Sequence, residues 1–408
     1  MQPYHADYMV VPSKMDKIFA ELLAHKMNRS VLILNVQRKI EDTRSGAIKW
    51  TEDTLRLGHR LNWKAYPTPN IIDEYYEYLK ENFRSICQIN NIGNSVENRS
   101  IKAISISNGN PKNQPVVIVG GQHSREWVGV SSALYIANEI VTKFDTQPYY
   151  MTSKDWYIVP LLNPDGYAYT HTVDRLWRKN RRRNRHSSCP GVDLNRNFPT
   201  PCSPKASLNT TYYSDRVPPN VKHWAVPGVT EHYECEEDYA GPFPLSEPES
   251  IALLVSKTDK ITPVILIENL LDIVRSTPRA FIDLHNYGQM VLYPWGIKDY
   301  AQAGREYLIS TAEGIKRDIY NITRALYRSG TPPSLMYPVS GTAIDWFHSK
   351  GTPLSYAIEN RDTGGHGFLL PPNEIEIAGK EMLIAARHVA KVLDPGIVMR
   401  DGVQHRWF

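Results

Sequence analysis

Cysteine is scarce: four in 408 residues, none in a C-x-x-C pair. That is too few for a disulfide scaffold and wrongly spaced for a structural zinc cluster or a thioredoxin-type redox motif. Long apolar runs are also missing. The longest, such as 115–121 and 264–267, are strand-sized, well short of the about 18 residues a membrane-spanning helix needs. Charge of one sign is lacking as well, because 47 Lys and Arg against 43 Asp and Glu leave only +4, too little to argue for a polyanionic partner. No repeat is visible at about 20–50 residues. Residues 1–10 have neither a basic start nor an apolar centre, so they do not read as a signal peptide.

What is present is ordinary for a globular protein. Hydrophobic residues make up 41% and charged residues 22%, with 24 Tyr and 9 Trp, which excludes disorder and long coiled coil as the main architecture. The positive charge is clustered: Arg175, Arg178, Lys179, Arg181, Arg182, Arg183 and Arg185 fall within eleven residues. Such a run can mark a nucleic-acid patch. A solvated loop or an anion-binding rim is the better reading, and neither nucleic acid nor a membrane is expected as partner. Glycosylation sequons stand at Asn28, Asn98, Asn209 and Asn321.

The first sixty residues read as a unit of their own. Met15, Ile18, Phe19, Leu22 and Leu23 have the spacing of an amphipathic helix, residues 30–36 (SVLILNV) a β-rich composition, and a second helix is expected after them. Residues 41–64 are polar, carry Arg44, Lys49, Arg56 and Arg60, and read as a linker open to a trypsin-like protease. Beyond Asn62, apolar strand-like runs at 115–121, 156–162, 279–284 and 354–358 alternate with helical stretches, among them 127–144 and 376–393. Alternation of this kind predicts an α/β chain built on a mainly parallel, twisted sheet flanked by helices, preceded by a small α+β unit.

Polar residues of catalytic type cluster at the carboxyl ends of those runs: His123 and Glu126, then Asn163 and Asp165, then His285, then Glu359. Open parallel sheets bind ligands at that edge. His123-Ser124-Arg125-Glu126 is an H-x-x-E pair whose spacing turns an imidazole and a carboxylate toward one metal ion, with His285 as the third ligand. His171 and Asp174 show the same spacing and are read as a chance match. Asp193 is the candidate for a carboxylate that fixes the tautomer of a ligating histidine.

GGQHSREW, NPDGY, LWRK, GVDLNRN, SEPES, FIDLHNYG, YPVSGTAIDW and IENRDTGGHGFLLPP stand in the order seen in zinc metallocarboxypeptidases of the carboxypeptidase A/B type, which the chain resembles from about Asn62 to about Leu393. The resemblance implies the zinc carboxypeptidase fold, with residues 61–408 as the catalytic domain and residues 1–60 as an activation propeptide incomplete at its start. It also implies one zinc ion per chain on His123, Glu126 and His285, with Glu359 as general base and Arg178 as oxyanion stabiliser. Asn195, Arg196 and Tyr337 then bind the substrate's terminal carboxylate, and Arg125 and Phe368 form outer subsites.

The same resemblance, aligned back from Glu359, puts Ile344 at the family's specificity-pocket floor, where its A-type and B-type enzymes differ by an apolar residue or an acid, with Gly296 opposite and Ala357 nearby. An apolar floor cannot compensate a buried Lys or Arg charge, so aliphatic or aromatic C-terminal residues of peptides and proteins are the expected substrates. By the same resemblance Cys189 and Cys235 form a disulfide, which calls for an oxidising compartment and a secreted protein, and a trypsin-like protease is the activating partner. A catalytically weak or inactive relative that binds peptide termini is the alternative. Residues 257–271 interrupt an otherwise continuous helix ahead of the His285 strand, and Pro263 breaks it.

Overall fold

The computed structural model of the chain describes residues 8–44, 51–199, 233–254, 269–274, 276–297 and 305–394. Eight strands form one sheet: β1 (Cys87–Asn94), β2 (Ser100–Ile106), β3 (Gln114–Gly120), β4 (Lys154–Val159), β5 (Ala280–Asn286), β6 (Met290–Leu292), β7 (Arg328–Gly330) and β8 (Leu354–Asn360). Their order is β1-β2-β4-β3-β5-β8-β6-β7. The four central strands β4, β3, β5 and β8 are parallel. On one flank β2 runs antiparallel to β4 and β1 to β2; on the other β6 runs antiparallel to β8, with β7 parallel to β6. The sheet is therefore mixed around a parallel centre.

The period of two along each strand splits the core into two faces. Val116 and Ile118 of β3, Ala280, Ile282 and Leu284 of β5, and Leu354, Tyr356 and Ile358 of β8 pack with the helices Trp127–Thr142, Arg305–Thr323 and Ile375–Val392. Val117, Val119, Phe281 and Ala357 pack on the opposite side with the helices Pro248–Leu254, Leu270–Val274 and Ala343–Ser349. Every residue of β5 is buried, as the apolar run predicts for a strand covered on both faces. By the same alternation Asp283 and His285 share the second face, where His285 pairs in register with Glu359. His285 and Glu359 lie in the final residues of their strands, not beyond them as the apolar runs implied.

The structure differs from the sequence reading at β1 and at residues 30–36. β1 (CQINNIGN) is an edge strand that hydrophobic pattern did not reveal, because only its pairing with β2 and partial burial make it a strand. Residues 30–36 form no strand. Val31, Leu32 and Leu34 are exposed there, and a β-rich run without a partner ladder leaves its backbone groups to water. The helices Met15–Ala24 and Val36–Arg44 on either side do form, but no residue of the first is buried.

Of the segment at 257–271, residues up to 268 lie outside the described residues, as do Pro263, Lys49, Cys202 and Asn209. On its two sides the chain forms the separate helices Pro248–Leu254 and Leu270–Val274, with Leu270 and Val274 buried. Asn28, Asn98 and Asn321 are exposed. Among the described residues no helix is long and apolar enough to cross a membrane.

Candidate active site

β3 runs into Gly121, Gln122 and His123, and Glu126 occupies the N-cap position of the helix Trp127–Thr142. A side chain at Gly129 would put its Cβ 2.7 Å from the Leu284 carbonyl oxygen. Glycine there lets the first turn of the helix lie directly on β5, which sets Glu126 beside His285. Glu126 Oε2 stands 2.9 Å from His285 Nδ1 and accepts the Asn286 N–H at 3.3 Å.

Both imidazoles turn Nδ1 toward the same carboxylate. His123 Nδ1 is 2.8 Å from Glu126 Oε1, and the two Nδ1 atoms are 3.2 Å apart. The three donor groups are buried and their ligand atoms lie within 4.8 Å of one another, the only such cluster among the described residues. The far ring nitrogens are occupied by carboxylates: His123 Nε2 by Asp193 Oδ1 at 3.0 Å, and His285 Nε2 by Asp283 Oδ2 at 2.8 Å. Two inward ring nitrogens and an ionised carboxylate, backed by two outer carboxylates, suit a divalent cation such as zinc held by two histidines and a glutamate.

Asp193 does three things at once. It holds His123, its Oδ1 accepts the Asn195 N–H at 2.9 Å, and its Oδ2 accepts from Arg178 Nε and Nη2 at 3.0 and 2.7 Å. Burial works to raise its pKa, but Arg178 and His123 outweigh it and hold the carboxyl well below the usual range. Arg178 is thereby fixed by two of its nitrogens, with Nη1 left 3.8 Å from Glu126 Oε1. Glu359, beside His285 in the sheet, has its carboxyl pushed up to about 8 by burial, against the pull of His285 and Arg178.

The short turn Leu194–Arg196 carries the next two candidates. Asn195 Oδ1 accepts the Ala343 N–H at 2.9 Å, which fixes its amide with Nδ2 toward His285. Arg196 is buried; Nη1 donates to the Asn195 carbonyl at 2.9 Å, and Nε has no hydrogen-bond partner. Gly341, at φ 70°, packs so tightly on the Arg196 backbone that a Cβ would fall 2.0 Å from its carbonyl oxygen. Tyr337 is exposed on the loop ahead of it, near enough to Arg178 to interact with its charge. Ile344 is buried in one apolar cluster with Leu292 and Ala357. Its neighbour Asp345 accepts the Gly296 N–H at 3.2 and 3.0 Å, and burial pushes its carboxyl up to about 7.

At the outer end the Arg125 guanidinium lies 4.2 Å over the Phe368 ring, and Arg125 Nη1 reaches the Leu176 carbonyl and Glu237. Arg175 holds the backbone of both residues, donating to the Arg125 and Phe368 carbonyls at 2.8 Å each.

The reading of the basic run as solvated charge, Arg178 apart, is corrected for most of its members. Arg175 is buried 3.7 Å over Trp127, Lys179 is buried and donates to the Glu234 carbonyl, Arg181 covers Tyr169 and Trp177, and Arg182 pairs with Glu247. Only Arg183 and Arg185 are exposed. Asn163 and Asp165 are structural: Asn163 caps the helix Pro164–Thr172, and Asp165 accepts from Ser95, Arg99 and the Glu97 N–H. His171 stacks on Trp127 with ring centroids 4.1 Å apart and is not one of the residues clustered as candidate metal ligands. Asp283 and Gln122 were missed by sequence reasoning. The available signal was an acid two residues before His285, on the same strand face.

Cys189 and Cys235 form a disulfide across 46 residues, and Cys87 is a buried free thiol. The family model described as "Zinc carboxypeptidase" matches residues 72–385. Human carboxypeptidase A5 is 29% identical over 390 residues, 94% of this chain and 80% of the relative. Carboxypeptidase B of the crayfish Astacus astacus is 30% identical over 332 residues, 81% of this chain and 97% of the relative. The crystal structure of thrombin activatable fibrinolysis inhibitor superposes with a TM-score of 0.75 at 26% identity, over 93% of this chain and 86% of that one. The chain belongs to the zinc carboxypeptidase family, as a zinc-dependent peptidase whose candidate metal ligands are His123, Glu126 and His285.

Proposed function

We propose that the chain removes single C-terminal residues from peptides and proteins, with a preference for aliphatic and aromatic side chains. His123, Glu126 and His285 would hold the zinc ion, which when bound would supply Lewis-acid polarisation of the scissile carbonyl and acidification of the attacking water. Glu359 takes the proton from the attacking water and delivers it to the leaving amine; its raised pKa suits a group that must both accept and return a proton near neutrality. Arg178, held by Asp193, turns Nη1 to the oxyanion. Arg196, with Asn195 and Tyr337, binds the terminal carboxylate. The unpartnered Nε of a buried Arg196 is the observation that carries an exopeptidase reading, since a fixed, always-charged fork suits a carboxylate.

Ile344, Leu292 and Ala357 give the pocket an apolar wall, and Asp345 turns its oxygens to the Gly296 N–H. Arg125 and Phe368 flank the preceding substrate residues. The test is release of phenylalanine from matched peptides ending in free Phe and in Phe amide. The free acid is cleaved and the amide is not; equal cleavage of both contradicts carboxylate recognition.

Residues 1–60 act as a propeptide in this reading. What supports it is three contacts of their described part with the later chain: Lys39 Nζ to His366 Nδ1 at 2.9 Å, Arg44 Nη2 to the Thr170 carbonyl at 2.9 Å, and Leu32 beside Gly364. The turn Gly367–Leu369, which carries Phe368, lies under the helix Val36–Arg44. Cleavage by a trypsin-like protease frees that rim. The disulfide and the exposed sequons fit a secreted glycoprotein.

A further inference from the structure

We propose that Asp283 is a positioning residue that selects the metal-binding tautomer of His285, and that Gln122 holds Asp283 in place for this. The inference rests on His285 being a zinc ligand.

Two groups compete for His285 Nε2. Asp283 Oδ2 stands 2.8 Å away and can only accept a proton from it when ionised. Asn195 Nδ2 stands 3.1 Å away and can only donate to it, because its Oδ1 is taken by the Ala343 N–H. The two demand opposite tautomers. If Nε2 carries the proton, it donates to Asp283 and Nδ1 keeps its lone pair for a metal. If Nε2 accepts from Asn195, Nδ1 carries the proton and points it at Glu126, 2.9 Å away, which blocks ligation.

The surroundings favour Asp283. Its carboxylate is buried, and Gln122 Nε2 donates to the same Oδ2 at 3.0 Å. Asn195 Nδ2 has that oxygen within 3.4 Å as an alternative acceptor, so it need not compete for the ring. Asp283 also sits two residues before His285 on the same face of β5, where backbone pairing with β8 holds both and pairing with β3 also holds Asp283. Asp193 serves His123 in the same way, so each imidazole has its own carboxylate.

The experiment measures zinc affinity by chelator competition, and the His285 tautomer by nitrogen NMR of histidine-labelled, metal-free protein. Asp283→Ala is expected to weaken zinc about 10–100-fold and to shift His285 toward the Nδ1–H form. Adding Asn195→Ala to that variant removes the competing donor and restores part of the affinity, which loss of packing alone would not produce. Asp283→Asn keeps an acceptor and loses less; if Asp283→Ala does not fold, Asp283→Asn against wild type carries the test. Zinc affinity within about twofold of wild type, with Nε2–H retained, overturns the proposal. Wild-type protein that takes up no zinc overturns the metal-site reading itself, a separate outcome.

Discussion

His285 and Glu359 are register partners on the adjacent parallel strands β5 and β8. A candidate metal ligand and the proposed base are therefore set side by side by backbone hydrogen bonding, with no loop between them. Their separation is set by the pairing of two strands, which holds a site more precisely than a loop does.

Glu359→Gln keeps the shape of the side chain and removes its capacity to take a proton. Zinc content and substrate KM are expected to stay near wild type while kcat falls at least about 10²-fold. A loss of only a few-fold would assign the base to another group.

That adjacency was legible in the sequence, because polar residues at the carboxyl ends of apolar runs meet at one edge of a parallel sheet. The rule brought together His123, His285 and Glu359 but over-reached at Asn163 and Asp165, which cap a helix and brace a turn. β1 was illegible because an edge strand need not be apolar, and residues 30–36 misled because β composition without a partner strand makes no ladder. The basic run misled in another way. Arg175 and Arg181 lie on aromatic faces, which a count of charges does not reveal.

Glu247 and Glu249 are buried together, bridged by Asn180 Nδ2 at 2.8 and 3.1 Å. Burial, with repulsion from Glu247, pushes the Glu249 carboxyl up to about 8. An acid whose pKa is raised on folding binds more protons folded than unfolded between its ordinary value and about 8. Its contribution to stability is full at the acid end of that window and is lost as pH rises through it. Denaturant midpoints should fall as pH rises from about 5 to 8, and Glu249→Gln should flatten that slope. An unchanged slope in the variant would mean that Glu249 is ionised throughout.

The contacts of Lys39, Arg44 and Leu32 predict that the uncut chain works slowly on peptides long enough to reach Phe368. A defined tryptic cut in the linker should raise kcat/KM for such peptides more than for a blocked dipeptide. Equal activity before and after the cut would show that residues 1–60 do not inhibit.

The most direct test of the account compares kcat/KM of trypsin-treated, zinc-loaded protein on matched peptides ending in Phe and in Lys. Burying an apolar side chain against Ile344 contributes roughly 1.5–3 kcal/mol, whereas a Lys there loses hydration with no acid to pair with. The account predicts release of the single terminal residue and a preference for Phe of at least about 100-fold. It also predicts that Ile344→Asp weakens the preference and admits Lys. A wild-type protein that releases Lys faster than Phe, or releases neither, contradicts it.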